Sequence, residues 1–280
     1  MKRKEFLRLS VPAFLLLANG RIIKTDKFWL PGDQQEKIKL RFAVASDGHY
    51  GQPGTDYVNF HTTLVSRINE EHLKHKFSFC VINGDIVHDD KTHYPAVKKI
   101  LDGLPTKYYV SQGNHDHVTP KEWEAIWNMP VNLDFTIQKT SCLIATSSDE
   151  KGTYLCPDVD WFRQKLHEHR EQENIFIFIH INPGKLTKNA VDCPELFEVF
   201  AKHKNIRAVF NGHDHDEEGI KQRQNIPFVF DAHFGGNWGT SYRGFRVVEL
   251  LDDDTILTYI MDPVKKINES KLEGIKSPAF

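Results

Sequence analysis

The chain has 280 residues, 40% hydrophobic and 26% charged, with a formal net charge of −2. That length suits one large domain or two small ones, and the composition is that of an ordinary soluble globular protein. The near-neutral charge argues against wholesale nucleic-acid binding, which needs a basic face, and leaves room only for a local basic pocket.

Residues 1–20 stand apart. Lys2, Arg3, Lys4 and Arg8 make a basic start, and residues 9–18 are apolar except for Ser10 and Pro12. The run is too short to cross a bilayer as a mature helix but suits the core of an export signal, with a small-residue end at Ala18 to Gly20. On that reading the mature protein begins near residue 20, outside the cytoplasm, in the periplasm of a bacterium. The stretch from Arg3 to Arg8 resembles a twin-arginine signal with Lys4 where the second arginine is usual, so the route stays open between twin-arginine and general secretion. The alternative is an N-terminal helix on a cytoplasmic protein. Residues 21–37, with Pro31 and Gly32, read as a linker, residues 38–262 as the catalytic domain and residues 263–280 as a C-terminal tail.

Within the domain, residues 38–45 read as a strand and residues 57–75 as a helix whose apolar side carries Phe60, Leu64, Val65, Ile68 and Leu73. Strands follow at 77–82 and 107–110, with short helices at 95–101 and 120–127. Residues 134–138 and 141–146 look like a hairpin. A helix at 158–170 presents Trp161, Phe162 and Leu166. The near-continuous apolar run 174–179 suits a strand buried on both faces. A helix at 194–203, a strand at 206–210 and further strands in 226–230 and 242–260 complete the chain. Helix–strand alternation first and strands later predicts a layered α/β sandwich.

Five polar clusters carry the chemistry: Asp47-Gly48-His49, Gly84-Asp85, Gly113-Asn114-His115-Asp116, His180 and Gly212-His213-Asp214-His215. Most directly follow an apolar strand, where an open α/β sheet puts its active site. Carboxylate, carboxamide and imidazole groups suit Mn²⁺, Fe or Zn²⁺, alone or as a mixed pair, rather than soft ions. Asp85, between the first and third clusters, is the natural bridge between two divalent ions. Two such ions hold a hydroxide at neutral pH and clamp phosphate oxygens. The glycines ahead of the ligands permit tight turns.

In this order the clusters resemble the D-x-H, GD, GNH[D/E], H and GHxH signature of calcineurin-like metallophosphoesterases. The resemblance spans residues 47–215 and implies a four-layer α/β/β/α sandwich with a dinuclear site. Carried over motif by motif, Asp47, His49, Asp85 and His215 hold one ion, and Asp85, Asn114, His180 and His213 the other. Asn114 and the ions neutralise the non-bridging oxygens while the hydroxide attacks phosphorus in line. His115 contacts the phosphate and protonates the leaving oxygen, and Asp116 orients His115 by a hydrogen bond. The chain departs from the pattern where purple acid phosphatases place a tyrosine three residues past the bridging Asp; His88 stands there. The acid of the commoner GDxxD falls one place later, at Asp89.

Outside the clusters, His61, His72, His75, His167, His169 and His203 read as solvated helix residues. His88, His93, His117 and Asp89 fall close enough to line the site. Residues 233–243 read as a glycine-rich hairpin whose aromatics cover a sheet edge, or as a substrate loop with Trp238 or Tyr242 against the organic part and Arg243 near a phosphate. Cys80 and Cys142 suit buried thiols, while Cys156 and Cys193, in loop-like stretches, are the candidates for a disulfide. The expected activity is hydrolysis of a small-molecule phosphodiester, with a phosphomonoesterase, or a non-catalytic scaffold of the same fold, as alternatives.

Overall fold

The computed structural model of the protein describes residues 16–18, 21–23, 37–231, 233–262 and 265–273. Strands β1 (Leu16–Ala18) and β2 (Arg21–Ile23) pair as a small antiparallel hairpin in a unit of its own, residues 1–37. Most of the expected export signal and linker lies outside the described residues. The second unit begins with β3 (Ile38–Ala45), α1 (Tyr57–Lys74), β4 (Phe79–Asn83), α2 (Tyr94–Leu101), β5 (Tyr108–Ser111) and α3 (Pro120–Trp127). It continues with β6 (Leu133–Ile137), β7 (Thr140–Ala145), α4 (Val159–Glu168), β8 (Asn174–Ile179), α5 (Pro194–Phe200) and β9 (Ile206–Asn211). It closes with β10 (Glu218–Arg223), β11 (Ile226–Asp231), β12 (Phe245–Leu251), β13 (Ile256–Asp262) and β14 (Lys265–Leu272).

Side-chain alternation along the strands builds the layers. In β3, Leu40, Phe42 and Val44 enter one apolar cluster and Ala43 and Ala45 another; β4 divides Phe79 and Val81 from Cys80 and Ile82 in the same way. Two six-stranded sheets result, β14-β13-β12-β3-β4-β5 and β10-β11-β9-β8-β7-β6. Their facing surfaces share a core in which Phe42 stacks on Phe79 at 4.7 Å and Phe178 on Phe210 at 5.1 Å. Helices α1, α2 and α3 cover the outer face of the first sheet, and α4 and α5 that of the second. The expected α/β/β/α sandwich is the fold observed. Parallel pairing of β3 with β4 and β4 with β5, and of β7, β8 and β9 in turn, needs crossover connections, which the helices supply.

One buried ion pair ties the sheets together. Arg246 of β12 donates from Nε to Asp231 of β11 at 2.7 Å and from its guanidinium to Glu218 of β10 at 2.8 Å. A second tie, a disulfide between Cys156 and Cys193, closes the loops after β7 and β8, and Cys80 and Cys142 are buried free thiols as expected.

Three expectations need correction. The tail is not a tail throughout: β14 pairs with β13 as an edge strand. Its residues alternate poorly because most of them face solvent. The buried face of α1 is His61, Leu64, Val65, Ile68 and Glu71, while Leu73 is 78% exposed and Phe60 half-buried. Positions 61, 64, 65 and 68 follow the helical repeat, and Leu73 falls off it. His61 is therefore not solvated; its Nδ1 bonds the Tyr57 carbonyl at 2.8 Å and its ring lies edge-on to Phe234.

Candidate active site

Every cluster singled out in the sequence lies at the C-terminal end of a strand, and the two sheets bring those ends together. Asp47 and His49 follow β3, Asp85 follows β4, and Asn114 and His115 follow β5. His180 follows β8, while His213 and His215 follow β9. Thus one sheet supplies the carboxylates and the other most of the imidazoles. Asn83, the last residue of β4, fastens the strand ends beneath the site. Its side chain accepts from Ser111 at 2.8 Å and donates to the Phe210 carbonyl at 3.1 Å, and its own carbonyl accepts from His180 Nδ1 at 2.7 Å. Nothing marked Asn83 in the sequence beyond its place before Gly84.

The backbone around the ligands is strained. Asp47, His49, Asp85 and His213 have φ of 61°, 47°, 50° and 68°, the left-handed region that non-glycine residues seldom occupy. Such strain persists only where neighbours over-determine it. Here Asp47 N–H donates to the Gly84 carbonyl at 3.1 Å and His49 N–H to the Asp85 carbonyl at 2.9 Å. Gly84 has a φ of 84°, a turn that favours glycine. Gly212 is required for a different reason, close approach: a Cβ there would overlap Ser46 Oγ and Asp47 Oδ2.

Two groups of ligand atoms emerge, Asp47 with His49 and His215, and Asp85 with His180 and His213. They interlock through both carboxylates. Asp85 Oδ2 lies 3.1 Å from His180 Nε2 and 3.7 Å from His49 Nε2. Asp47 Oδ1 lies 3.2 Å from His215 Nε2 and 3.7 Å from His180 Nε2. His180 gives its Nδ1–H to Asn83, and His215 gives its Nδ1–H to the Trp238 carbonyl at 3.2 Å. In both, Nε2 is left to face the centre, the arrangement of metal-ligating histidines. Asn114 Oδ1 and His213 Nε2 are buried without a hydrogen-bond partner, while His180 Nε2 faces only the carboxylates of Asp85 and Asp47. Buried polar atoms are costly unless paired, so the two orphaned electron-pair donors fit a divalent cation.

The electrostatics agree. Burial works to raise the Asp47 carboxyl, but His180 and His215 beside it prevail and hold it below the usual carboxylate range. Asp85 is held well down in the same way, against burial, by His180 and His49. Burial disfavours a charged His180, yet Asp85 and Asp47 raise it to about 10. Burial keeps His49 neutral, down to about 3. The two buried carboxylates are thus ionised because positive charge lies beside them, here on His180.

His115 stands at the mouth, and here the sequence reading is corrected. Asp116 does not touch its ring. It is fully buried, accepting from the amides of Ile86 at 2.9 Å, Val87 at 3.2 Å and Gly113 at 2.7 Å and from the Tyr94 hydroxyl at 3.1 Å. Burial, with Asp85 close by, raises its carboxyl to about 7. The acid that holds His115 is Asp89, whose Oδ1 accepts from His115 Nδ1 at 2.7 Å. The amide of Asp89 donates to the His115 carbonyl at 3.0 Å, which clips the two loops together. His88 belongs to the site as well. Its ring stacks on that of His115 at 5.0 Å, and its Nδ1 lies 3.1 Å from His49 Nδ1. His117 reaches Asp89 at 3.5 Å, whereas His93 packs on Tyr50 and Tyr57 instead.

Residues 233–243 lie at a sheet edge only at Tyr242. Phe234 and Gly235 bond the backbone of Ser46 and Asp47, and the Trp238 indole stacks on His215 at 4.2 Å with planes 7° apart. Arg243 turns away, donating to the Gly236 carbonyl at 2.8 Å and lying over Phe60. Tyr242 bonds Asn268 of β14.

A family model described as calcineurin-like phosphoesterase matches residues 40–217. The chain belongs to the calcineurin-like phosphoesterase family. Hydrolysis of phosphoesters with divalent metal is the chemistry this phosphoesterase family implies, and the Asp and His groups described above could bind such ions. The chain is 21% identical over 209 residues to a probable cyclic nucleotide phosphodiesterase of Fibrobacter succinogenes, covering 69% of this chain and 80% of that protein. A dimetal phosphatase from Danio rerio shares the phosphoesterase fold with a TM-score of 0.67 at 12% identity, over 85% of this chain and 99% of that one. GAP50 of Plasmodium, described as the anchor in the inner membrane complex, shares it with a TM-score of 0.63 at 14% identity, over 86% and 90%.

Proposed function

We propose that this phosphoesterase hydrolyses a small-molecule phosphodiester with the help of two divalent ions. The observation that carries the reading is the interlocked pair of ligand groups, each three residues strong and sharing carboxylate faces, with His115 beside them at the mouth. Asp47, His49, Asp85 and His215 would hold one ion, and Asp85, Asn114, His180 and His213 the other. When bound, such ions activate water at neutral pH and offset charge on phosphate oxygens. Asn114 adds a carboxamide beside those oxygens. His115, steadied by Asp89, delivers a proton to the departing alcohol oxygen from Nε2, since its Nδ1 is engaged. The likeness to a probable cyclic nucleotide phosphodiesterase supports a diester over a monoester. An extracytoplasmic location accords with the Cys156–Cys193 disulfide, a bond of oxidising compartments.

GAP50, an anchor by its description, has the same fold, so fold alone leaves a scaffold role open. The presence of all seven ligands and His115 favours an enzyme. The test is hydrolysis of p-nitrophenyl phosphate and bis-p-nitrophenyl phosphate by metal-stripped protein, with Mn²⁺, Fe²⁺, Zn²⁺ or Mg²⁺ restored singly. Metal-restored turnover that prefers the diester is expected. Preference for the monoester would make the protein a phosphatase, and no turnover despite two bound equivalents would favour the scaffold.

A further inference from the structure

Among the described residues the exposed large hydrophobic side chains are Ile38, Val58, Leu73, Tyr154, Leu155 and Trp238. An isolated exposed apolar residue needs no explanation, but two of these touch the candidate ligand groups. Trp238, 43% exposed, stacks on His215, and Tyr154, 42% exposed, lies edge-on to His213 with ring centroids 4.8 Å apart. His215 belongs to one candidate ligand group and His213 to the other, so each aromatic lies against one of the two groups.

Neither ring hangs on a loose loop. The Trp238 carbonyl accepts from His215 Nδ1, and the Thr240 amide donates to the His215 carbonyl at 2.9 Å. Gly239, with φ of 112°, lies so close to His215 that a Cβ would meet its backbone. On the other side, Leu155 N–H donates to the Ser147 carbonyl at 2.8 Å, Ser148 pairs with Tyr154, and Cys156 is bonded to Cys193. Gly152, in the turn before Tyr154, abuts the Asn114 carbonyl. Side chains already fixed in place lose little freedom when a ligand arrives, which favours binding. A phosphoryl group occupied with cations and His115 has no use for indole and phenol faces. Planar aromatic groups do, because ring-on-ring stacking is favourable and tolerant of ring identity.

We propose that Trp238 and Tyr154 form an aromatic clamp that binds the planar ring of an ester substituent, a nucleobase or an aryl group, beside the scissile phosphate. The inference rests on the phosphoesterase reading for its substrate, and the test separates the two. Thymidine 5′-p-nitrophenyl phosphate and methyl p-nitrophenyl phosphate share a leaving group and a diester phosphate but differ in the nucleoside. Trp238→Ala and Tyr154→Ala should each lower kcat/KM for the thymidine ester roughly 5- to 100-fold, the usual worth of one stacked base. Both should leave the methyl ester within about twofold, and both should keep the wild-type metal content. Equal losses on the two esters, or no loss on either, would overturn the clamp, as would loss of metal from Trp238→Ala. Binding gives a second, independent readout. AMP should quench the tryptophan fluorescence of the metal-loaded protein, less so in Trp238→Phe, and ribose 5-phosphate should not. If the wild type hydrolyses nothing, that pair of titrations still decides: selective quenching by AMP upholds the clamp while the hydrolytic reading falls, and identical responses to AMP and ribose 5-phosphate remove the clamp.

Discussion

Replacing Asp89 and Asp116 one at a time should produce opposite phenotypes. Asp89 grips His115 through one hydrogen bond of 2.7 Å, with its side chain 51% exposed and that of His115 28% exposed. A hydrogen bond to a charged group contributes about 1.5–3 kcal/mol. Partial exposure brings that down to roughly 1–2 kcal/mol. Asp89→Ala should therefore lower kcat by about 5- to 30-fold, at roughly 1.4 kcal/mol per factor of ten. KM, metal content and melting temperature should hardly change, because no buried group loses a partner. Asp89→Asn, which keeps an acceptor in place, should recover part of the loss. Asp116→Ala orphans three buried amides, those of Ile86, Val87 and Gly113. At about 1–3 kcal/mol for each unsatisfied group, the loss is at least about 3 kcal/mol. For a chain of this size that lowers Tm by roughly 6–12 °C. The assays are turnover of bis-p-nitrophenyl phosphate, metal analysis and thermal melting on the same preparations. An Asp116→Ala protein with wild-type Tm and lost turnover, beside an Asp89→Ala protein with normal turnover, would refute the assignment.

His88→Ala removes the partner of His49 Nδ1, and such supports typically change metal affinity 10- to 100-fold. One of two titratable ions should weaken and the other hold, and unchanged affinity for both in competition with a chromophoric chelator would show that the contact is idle. Arg246→Leu strands Asp231 in the core and should cost about 3–5 kcal/mol, read from urea melts; a shift below about 1 kcal/mol would dismiss the ion pair as a tie between the sheets. Cys156→Ser opens a loop with a sequence separation of 37, for which chain entropy gives roughly 4 kcal/mol. Treatment of the wild type with dithiothreitol should reproduce its lower Tm, and insensitivity of both would mean that the bond contributes nothing.

The convergence of the clusters was legible because each sits just past an apolar strand, so strand ends and polar clusters could be matched without knowing which strands pair. The sandwich was legible for the same reason, since Phe42, Phe79, Phe176, Phe178 and Phe210 announce strands buried on both faces. What escaped depends on contacts between distant segments. The resemblance implies that Asp116 orients His115, yet neighbouring side chains in a turn point apart, and Asp116 faces Tyr94 and the amides after Asp85. Asp89 arrives from another loop, 26 residues away in sequence. Asn83 likewise gains its role only through tertiary neighbours, whereas His88 and Trp238 stood among the sequence candidates without their partners. His61 was missed because a histidine on a helix reads as polar, whereas its position in the i, i+3, i+4 repeat places it inside. Polar edge strand β14 offers too little hydrophobic alternation to be seen at all.

On the proposed function, the division of the candidate ligands between two sheets would make the site a gauge of how those sheets sit on one another. Asp47, Asp85 and Asn114 move with β3, β4 and β5, and His180, His213 and His215 with β8 and β9. A slip of one sheet by a single ångström would misplace half the ligands relative to the rest. Substitutions deep in the aromatic layer at Phe42 or Phe210, far from any phosphate, should therefore surface first as weakened metal retention, before the protein loses its cooperative melt. Conversely, ions held between the two sheets, as proposed, would act as a clasp across the sandwich, so their occupancy should set how readily the layers part.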